Sequence, residues 1–185
     1  MSEPLRRGIP TARNVDHFGV TVPDLDAAVS FFVDVLGADL LFGFNEGPGT
    51  DNPANLQKSF EAAPGSTLKV AMLRLGPTLN LELMEYQSAG RRTEMPKNDD
   101  MDTPHVAFFV EDMELAADYL RQHGCRLLEG PFTSDKGPKA GQSIHYFFTP
   151  WGMAMEILCR SASMPYEAQT MHRLFGPVSG WDSQP

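Results

Sequence analysis

The chain has 185 residues, 42% of them apolar and 10% aromatic, and 15 Lys and Arg stand against 24 Asp and Glu for a formal charge of −9. That length accommodates one domain or two small halves sharing a core, and the apolar fraction is that of a folded chain. A pI near 4.9 without a basic run excludes duplex nucleic acid and argues against an anionic membrane surface. Apolar stretches of a few residues exclude a transmembrane helix, and no charged segment followed by an apolar one opens the chain as a secretory signal would. Two cysteines, Cys125 and Cys159, are too few for a disulfide framework and predict free thiols in a reducing cytoplasm.

Residues 1–12, with Pro4, Gly8 and Pro10, lack periodicity and read as a flexible arm. Val15 to Val22 is a β-rich run with His17 near its start. Asp24 follows as a helix N-cap, and Leu25, Val29, Phe32 and Leu36 recur at helical spacing up to the stop at Gly37. Leu40 to Phe44 reads as a strand. The stretch 43–66, rich in Gly, Pro and Asn, reads as an inserted loop whose Asn52, Asn55 and Phe60 either cover a site or form a surface excursion. A strand around Leu79 to Met84 closes the first module, 13–90, and residues 91–103 link it to the second, 104–160. There His105 to Val110 predicts a strand, Met113 to His123 an amphipathic helix ended by Gly124, and Arg126 to Leu128 another strand. Beyond the second module lies a tail, 161–185, with a short amphipathic helix expected from Tyr166 to Phe175.

The two modules are one pattern repeated. Aligning His17 with His105, an offset of 88, also pairs Asp24 with Asp112 and Ala28 with Ala116, and the helix-ending glycines match after one deletion. Leu79-Asn-Leu-Glu82-Leu-Met resembles Met153-Ala-Met-Glu156-Ile-Leu, each preceded by a Pro- and Gly-containing turn. The histidine-to-glutamate distance is 65 residues in the first module and 51 in the second, the surplus falling in the insertion.

A carboxylate on an apolar strand needs a partner, because burying an unpaired charge is costly. Strand alternation puts Asn80, Glu82 and Met84 on one face, and Ala154 and Glu156 on the face opposite Met153, Met155 and Ile157. A lone strand histidine is more often a core residue, and a lone strand glutamate more often faces solvent, as Glu85 is expected to do. His17, Glu82, His105 and Glu156 stand instead at matched repeat positions. If the modules pack about a pseudo-two-fold axis they converge into two nitrogens and two oxygens, a donor set for one borderline divalent ion with positions left for water or substrate. Lys136, Lys139, Arg91 and Arg92 are the only candidates for a basic rim and read as solvated loop residues; Met153, Met155, Phe147, Phe148 and Phe108 read either as core or as the wall of an apolar pocket.

The run His17-Phe-Gly-Val-Thr-Val-Pro-Asp-Leu, with Phe31-Phe32 and Val35-Leu36-Gly37, resembles the opening module of the vicinal oxygen chelate superfamily, which includes glyoxalase I, methylmalonyl-CoA epimerase, extradiol dioxygenases and bleomycin-resistance proteins. His105 to Val110 and Thr149-Pro-Trp-Gly-Met-Ala-Met-Glu156 resemble its second module, so the likeness spans roughly residues 13 to 160. It implies an α+β fold of paired βαβββ modules forming an incomplete β-barrel around a metal site, with His17, Glu82, His105 and Glu156 in the four ligand positions of the glyoxalase and epimerase branches. It implies also that homodimers are common.

Residue identities separate the branches. Extradiol dioxygenases hold iron with two histidines and one glutamate, and the Tyr146, Pro150, Gly152 and Glu156 spacing fits them. Their upstream proton-handling histidine is missing, since Lys136 to Ser143 contains none and His145 adjoins the tyrosine. A glutamate at position 82 points to an isomerase, epimerase or lyase that moves a proton beside a carbonyl through a metal-stabilised enolate or enediolate, with Glu156 or Glu82 as the base. The cofactor is one divalent ion (Co, Ni, Mn, Zn or Fe), and the substrate a small carbonyl or aromatic compound. The alternatives are an Fe(II) dioxygenase and a non-catalytic drug-binding protein, the latter disfavoured by the intact ligand set.

Overall fold

The computed structural model describes residues 9–44 and 53–181; the first eight residues of the arm, Asn52 and the last four residues of the tail lie outside them. The chain divides between Ala89 and Gly90 into two units. In each, an aspartate starts the helix as its sequence position predicts. The Asp24 carboxylate accepts the Ala27 N–H at 2.9 Å and opens α1 (Leu25–Asp34); the Asp112 carboxylate accepts the Leu115 N–H at 3.0 Å and opens α3 (Met113–Gln122). Beyond the helix ends, Gly37 (φ 71°) and Gly124 (φ 79°) take the left-handed conformation that stops a helix.

The first unit is a mixed four-stranded sheet in the order β1-β4-β3-β2. β1 (Phe18–Thr21) runs parallel to β4 (Leu79–Gln87), which pairs antiparallel with β3 (Thr67–Leu75), and β3 with β2 (Asp39–Phe44). Leu81 and Leu83 of β4 with Ala71 and Leu73 of β3 are buried on the face turned to α1, which contributes Leu25, Ala28, Phe31 and Phe32. The other face carries Glu82, Met84 and Tyr86 of β4 beside Met72, Val70 and Leu68 of β3.

Two features of the first unit differ from the expectations of sequence. The insertion contains a helix, α2 (Pro53–Phe60), whose Leu56 is fully buried against Leu68 and Val70, with Ala62, Met84 and Tyr86 around it. It therefore covers the Tyr86 end of the Glu82 face. Glu85 does not face solvent: it is 5% exposed on the α1 side, where it accepts the Leu25 N–H at 2.8 Å and meets the Gln87 amide and Lys69. Burial alone would raise its carboxyl, but those donors and the Lys69 charge outweigh it and hold it below the usual carboxylate range.

The second unit repeats the plan with the order β5-β9-β8-β6, β7 pairing with β8. β5 (Val106–Phe109) is parallel to β9 (Ala154–Cys159), β9 antiparallel to β8 (Ser143–Phe148), and β8 antiparallel to β6 (Arg126–Leu127) and β7 (Phe132–Thr133). Neither sheet closes on itself. Phe147, Met153 and Met155 are core residues, and His145, buried beside Phe147's row, sets its Nε2 2.9 Å from the Leu128 carbonyl. Tyr146 and Glu156 lie on the opposite face. Cys125 is buried and Cys159 half-buried, both as free thiols, and burial pushes the Cys125 thiol up to about 11.

The tail forms a short 3-10 turn at Pro165–Ala168 in place of the expected helix. Its later course is pinned by the Leu174 N–H donating to the Tyr166 hydroxyl (2.8 Å), by Arg160 donating to the Phe175 carbonyl (3.0 Å), and by Trp181 stacked on Phe108 with ring centroids 6.1 Å apart. Phe108 alternates away from the Glu156 face, so the tail lies on the helix side of this sheet.

Candidate metal centre

Both histidines stand one residue ahead of a first strand, and both glutamates lie on the parallel neighbour of that strand. A parallel pairing brings the start of β1 beside the middle of β4, which is how residues 65 apart in sequence meet. Asn80 donates to the Asp16 carbonyl at 2.9 Å and ties the residue before His17 to β4. The Asp16 carboxylate lies 2.9 Å from His17 Nδ1; a protonated Nδ1 donating to it leaves the Nε2 lone pair outward, the arrangement that prepares an imidazole for a metal. His17 Nε2 is 3.5 Å from Glu82 Oε2. Opposite Glu82 stands Gly19, where a Cβ would come within 3.4 Å of Glu82 Oε2 and 3.1 Å of Met84 Cε. The glycine leaves room for the carboxylate.

In the second unit His105 Nε2 lies 3.1 Å from Glu156 Oε2, and Ala107 takes the place of Gly19. Tyr146, the partner of Glu156 across the β8–β9 ladder, packs edge-on against His105 with centroids 5.3 Å apart. Burial first, then the neighbouring Glu156 carboxylate, raise the Tyr146 phenol above its usual range, so it stays protonated. Tyr86 is raised likewise by burial and by the Glu82 charge. The Glu82 side chain is 25% exposed and that of Glu156 8%.

The donor spacing suits a bound ion. Two ligands about 2.1 Å from one ion and 90–110° apart lie about 3.0–3.4 Å from each other; the second unit's pair, at 3.1 Å, falls in that range and the first unit's, at 3.5 Å, just beyond it. Among the described residues no group of three or more His, Cys, Asp or Glu side chains is arranged to hold a metal, so each unit by itself supplies two donors.

The remaining candidates fall outside these faces or at their margins. His145 turns away from Tyr146 into the helix side, so it cannot handle protons beside Glu156. Phe148 lies on the Glu156 face under the Arg126 guanidinium, 4.1 Å from its centroid. Lys136, Lys139 and Arg92 are exposed. Residue type alone marks neither Asp16 nor Gly19 in the sequence; the signal for Asp16 is its adjacency to a candidate ligand, and for Gly19 its register with Glu82.

The chain belongs to the Glyoxalase/Bleomycin resistance protein/Dioxygenase superfamily, whose family model matches residues 14–157. It is 43% identical over 176 residues to a 2-epi-5-epi-valiolone epimerase of an Actinomyces species, covering 95% of this chain and 94% of that protein. A glyoxalase family protein from Bacillus cereus superposes with a TM-score of 0.62 at 17% identity, covering 83% of this chain and 99% of its own. A fosfomycin resistance protein from Listeria monocytogenes, solved with Mn(II) and sulfate, does so with a TM-score of 0.50 at 15% identity, covering 82% and 96%. The expected fold and family are borne out, and the epimerase among the relatives agrees with the expected isomerase or epimerase class. Among the described residues no helix is long and apolar enough to cross a membrane.

Proposed function

We propose that the chain is a metal-dependent epimerase that inverts a stereocentre beside the carbonyl of a small ketone, 2-epi-5-epi-valiolone or a close analogue, with His17, Glu82, His105 and Glu156 holding one divalent ion. The observation that carries this reading is the matched His–Glu pair in each unit, at the spacing two ligands of one ion adopt. The epimerase at 43% identity supports the reaction class and the substrate. When bound, the ion supplies a Lewis acid that draws charge onto the carbonyl oxygen and so acidifies the adjacent C–H.

The chain's own residues do the rest. Asp16 orients His17, and Tyr146 and His105 brace Glu156. Inversion requires one group to take the proton from one face of the carbon and another to deliver a proton to the opposite face; this reading gives those roles to Glu82 and Glu156. The C–H electron pair moves into the carbonyl group and returns to a new C–H bond, so no oxidant or reductant is consumed. The enzyme works in the cytoplasm, which keeps its two thiols reduced, and as a homodimer, a state that light scattering reads as twice the chain mass of 20.4 kDa.

Elemental analysis and an exchange assay test the reading together. Protein supplied in turn with Co(II), Ni(II), Mn(II), Zn(II) or Fe(II) should retain one ion per chain, and His17→Ala and His105→Ala should each lose it. Incubated in deuterated water with 2-epi-5-epi-valiolone, it should yield the epimer carrying one deuterium at the inverted carbon. Oxygen consumption without exchange, or no ion retained, overturns the proposal.

A further inference from the structure

On the Glu82 face of β4, Met84 and Tyr86 follow the carboxylate at alternate positions, and α2 covers the far end. The Tyr86 ring is half-buried against Leu56, Leu68 and Val70, so α2 and β3 together hold it in place. Its hydroxyl is less well provided for. Among the described residues it donates to the Met84 sulfur at 3.9 Å, a weak acceptor. Met84 stands between Tyr86 and Glu82, so a hydroxyl reaching that sulfur points along the face toward the carboxylate. The Met84 methyl and Glu82 Oε2 border the same space over Gly19. Burial first, then the Glu82 charge, keep the phenol protonated and so a donor. A phenol whose partner is a flexible thioether can exchange it for an oxygen at little cost.

We propose that Tyr86 is a specificity-determining residue, its hydroxyl donating to a hydroxyl that the ketone carries away from the reacting carbon. This rests on the epimerase reading put forward above, with the ketone bound beside Glu82. It commits the site to small hydroxylated ketones, because one without that hydroxyl leaves the phenol with sulfur alone. A site that pairs a substrate hydroxyl rejects the analogue lacking it far more strongly than an apolar pocket rejects a missing methylene. The bond forms at a distance from the proton transfer and is equally strong before and during it, so it is read in KM and not in kcat. By holding the Tyr86 ring, the insertion between β2 and β3 takes part in choosing the substrate.

Deuterium exchange into 2-epi-5-epi-valiolone, followed against its concentration, gives kcat and KM, and competition against a chelator gives the Co(II) affinity. Tyr86→Phe, which keeps the ring against Leu56, should raise KM about tenfold, with little change in kcat and none in Co(II) affinity. Met84→Leu, which removes the sulfur and keeps the bulk, should not raise KM. Far-UV circular dichroism matching the wild type confirms that each variant is folded. Wild-type KM in Tyr86→Phe, or a loss of Co(II) affinity that matches its rise in KM, would overturn the inference while leaving the epimerase intact. So would a rise in Met84→Leu as large as that in Tyr86→Phe, since the contact between the two side chains would then account for both. A wild-type chain that holds no Co(II) or exchanges no deuterium removes the epimerase reading as well.

Discussion

Glu85 offers a quantitative test of how the first unit is held together. Its carboxylate accepts the first N–H of α1 at 2.8 Å, from a position 5% exposed, with Lys69 Nζ at 3.5 Å. Glu85→Gln keeps the shape and removes the charge. A hydrogen bond to a charged group contributes about 1.5–3 kcal/mol against about 0.5–1.5 for a neutral one, and a negative charge at a helix N-terminus adds about 0.3–1 kcal/mol. The substitution should therefore cost about 2 kcal/mol at pH 7, a fall in Tm of about 4–8 °C for a chain of this size. The pH dependence has a fixed sign. The folded-state value lies below the unfolded one of about 4.3, so the charge contributes fully above the unfolded value and its contribution is lost as pH falls through the folded one. Urea unfolding followed by circular dichroism from pH 7 to pH 3 should show the gap between wild type and Glu85→Gln closing below about pH 4. A gap absent at pH 7, or one that widens toward pH 3, would refute the reasoning.

Two further substitutions probe the Glu82 face. Gly19→Val places branched carbons against Glu82 Oε2 and Met84 Cε, and should weaken Co(II) binding by about tenfold or more with the circular dichroism spectrum kept; unchanged affinity would show that the space beside Glu82 is dispensable. Leu56→Ala empties the only fully buried position described on α2 and should cost about 2–4 kcal/mol locally, read as faster proteolytic cutting within 53–60 while both sheets persist. Cutting at the wild-type rate would mean that α2 is anchored elsewhere.

The paired modules were legible because a duplication prints its constraints twice. A histidine ahead of a strand or a glutamate within one is ambiguous alone, but the matched offsets of His17 and His105, Asp24 and Asp112, and Glu82 and Glu156 are not. What escaped the sequence depends on contacts between distant residues. Nothing near Glu85 announces that the helix start at Leu25, 60 residues away, will bring it an N–H. α2 was hidden because it is eight residues long and, among its described side chains, buries Leu56 alone, too little for a periodicity to register. The tail misled in the opposite sense: Met171, Leu174 and Phe175 mimic a helical stripe, yet no surface receives them, and Met171 and Phe175 remain exposed. The place of Tyr146 opposite Glu156 needed the strand register, which no composition or spacing supplies.

The insertion that carries α2 also says where this architecture tolerates novelty. Its residues lengthen the chain that must close to bring His17 to Glu82, 65 residues against 51 for His105 and Glu156. Closure entropy grows only as the logarithm of length, so the difference amounts to about 0.2 kcal/mol. A new segment between β2 and β3 can thus be acquired, replaced or enlarged at almost no penalty to the donor pair, while resting directly on the face that bears Glu82. Selection for a different ligand on the Glu82 face has in this stretch a place to work where the proposed metal ligands and the folding equilibrium stay nearly untouched.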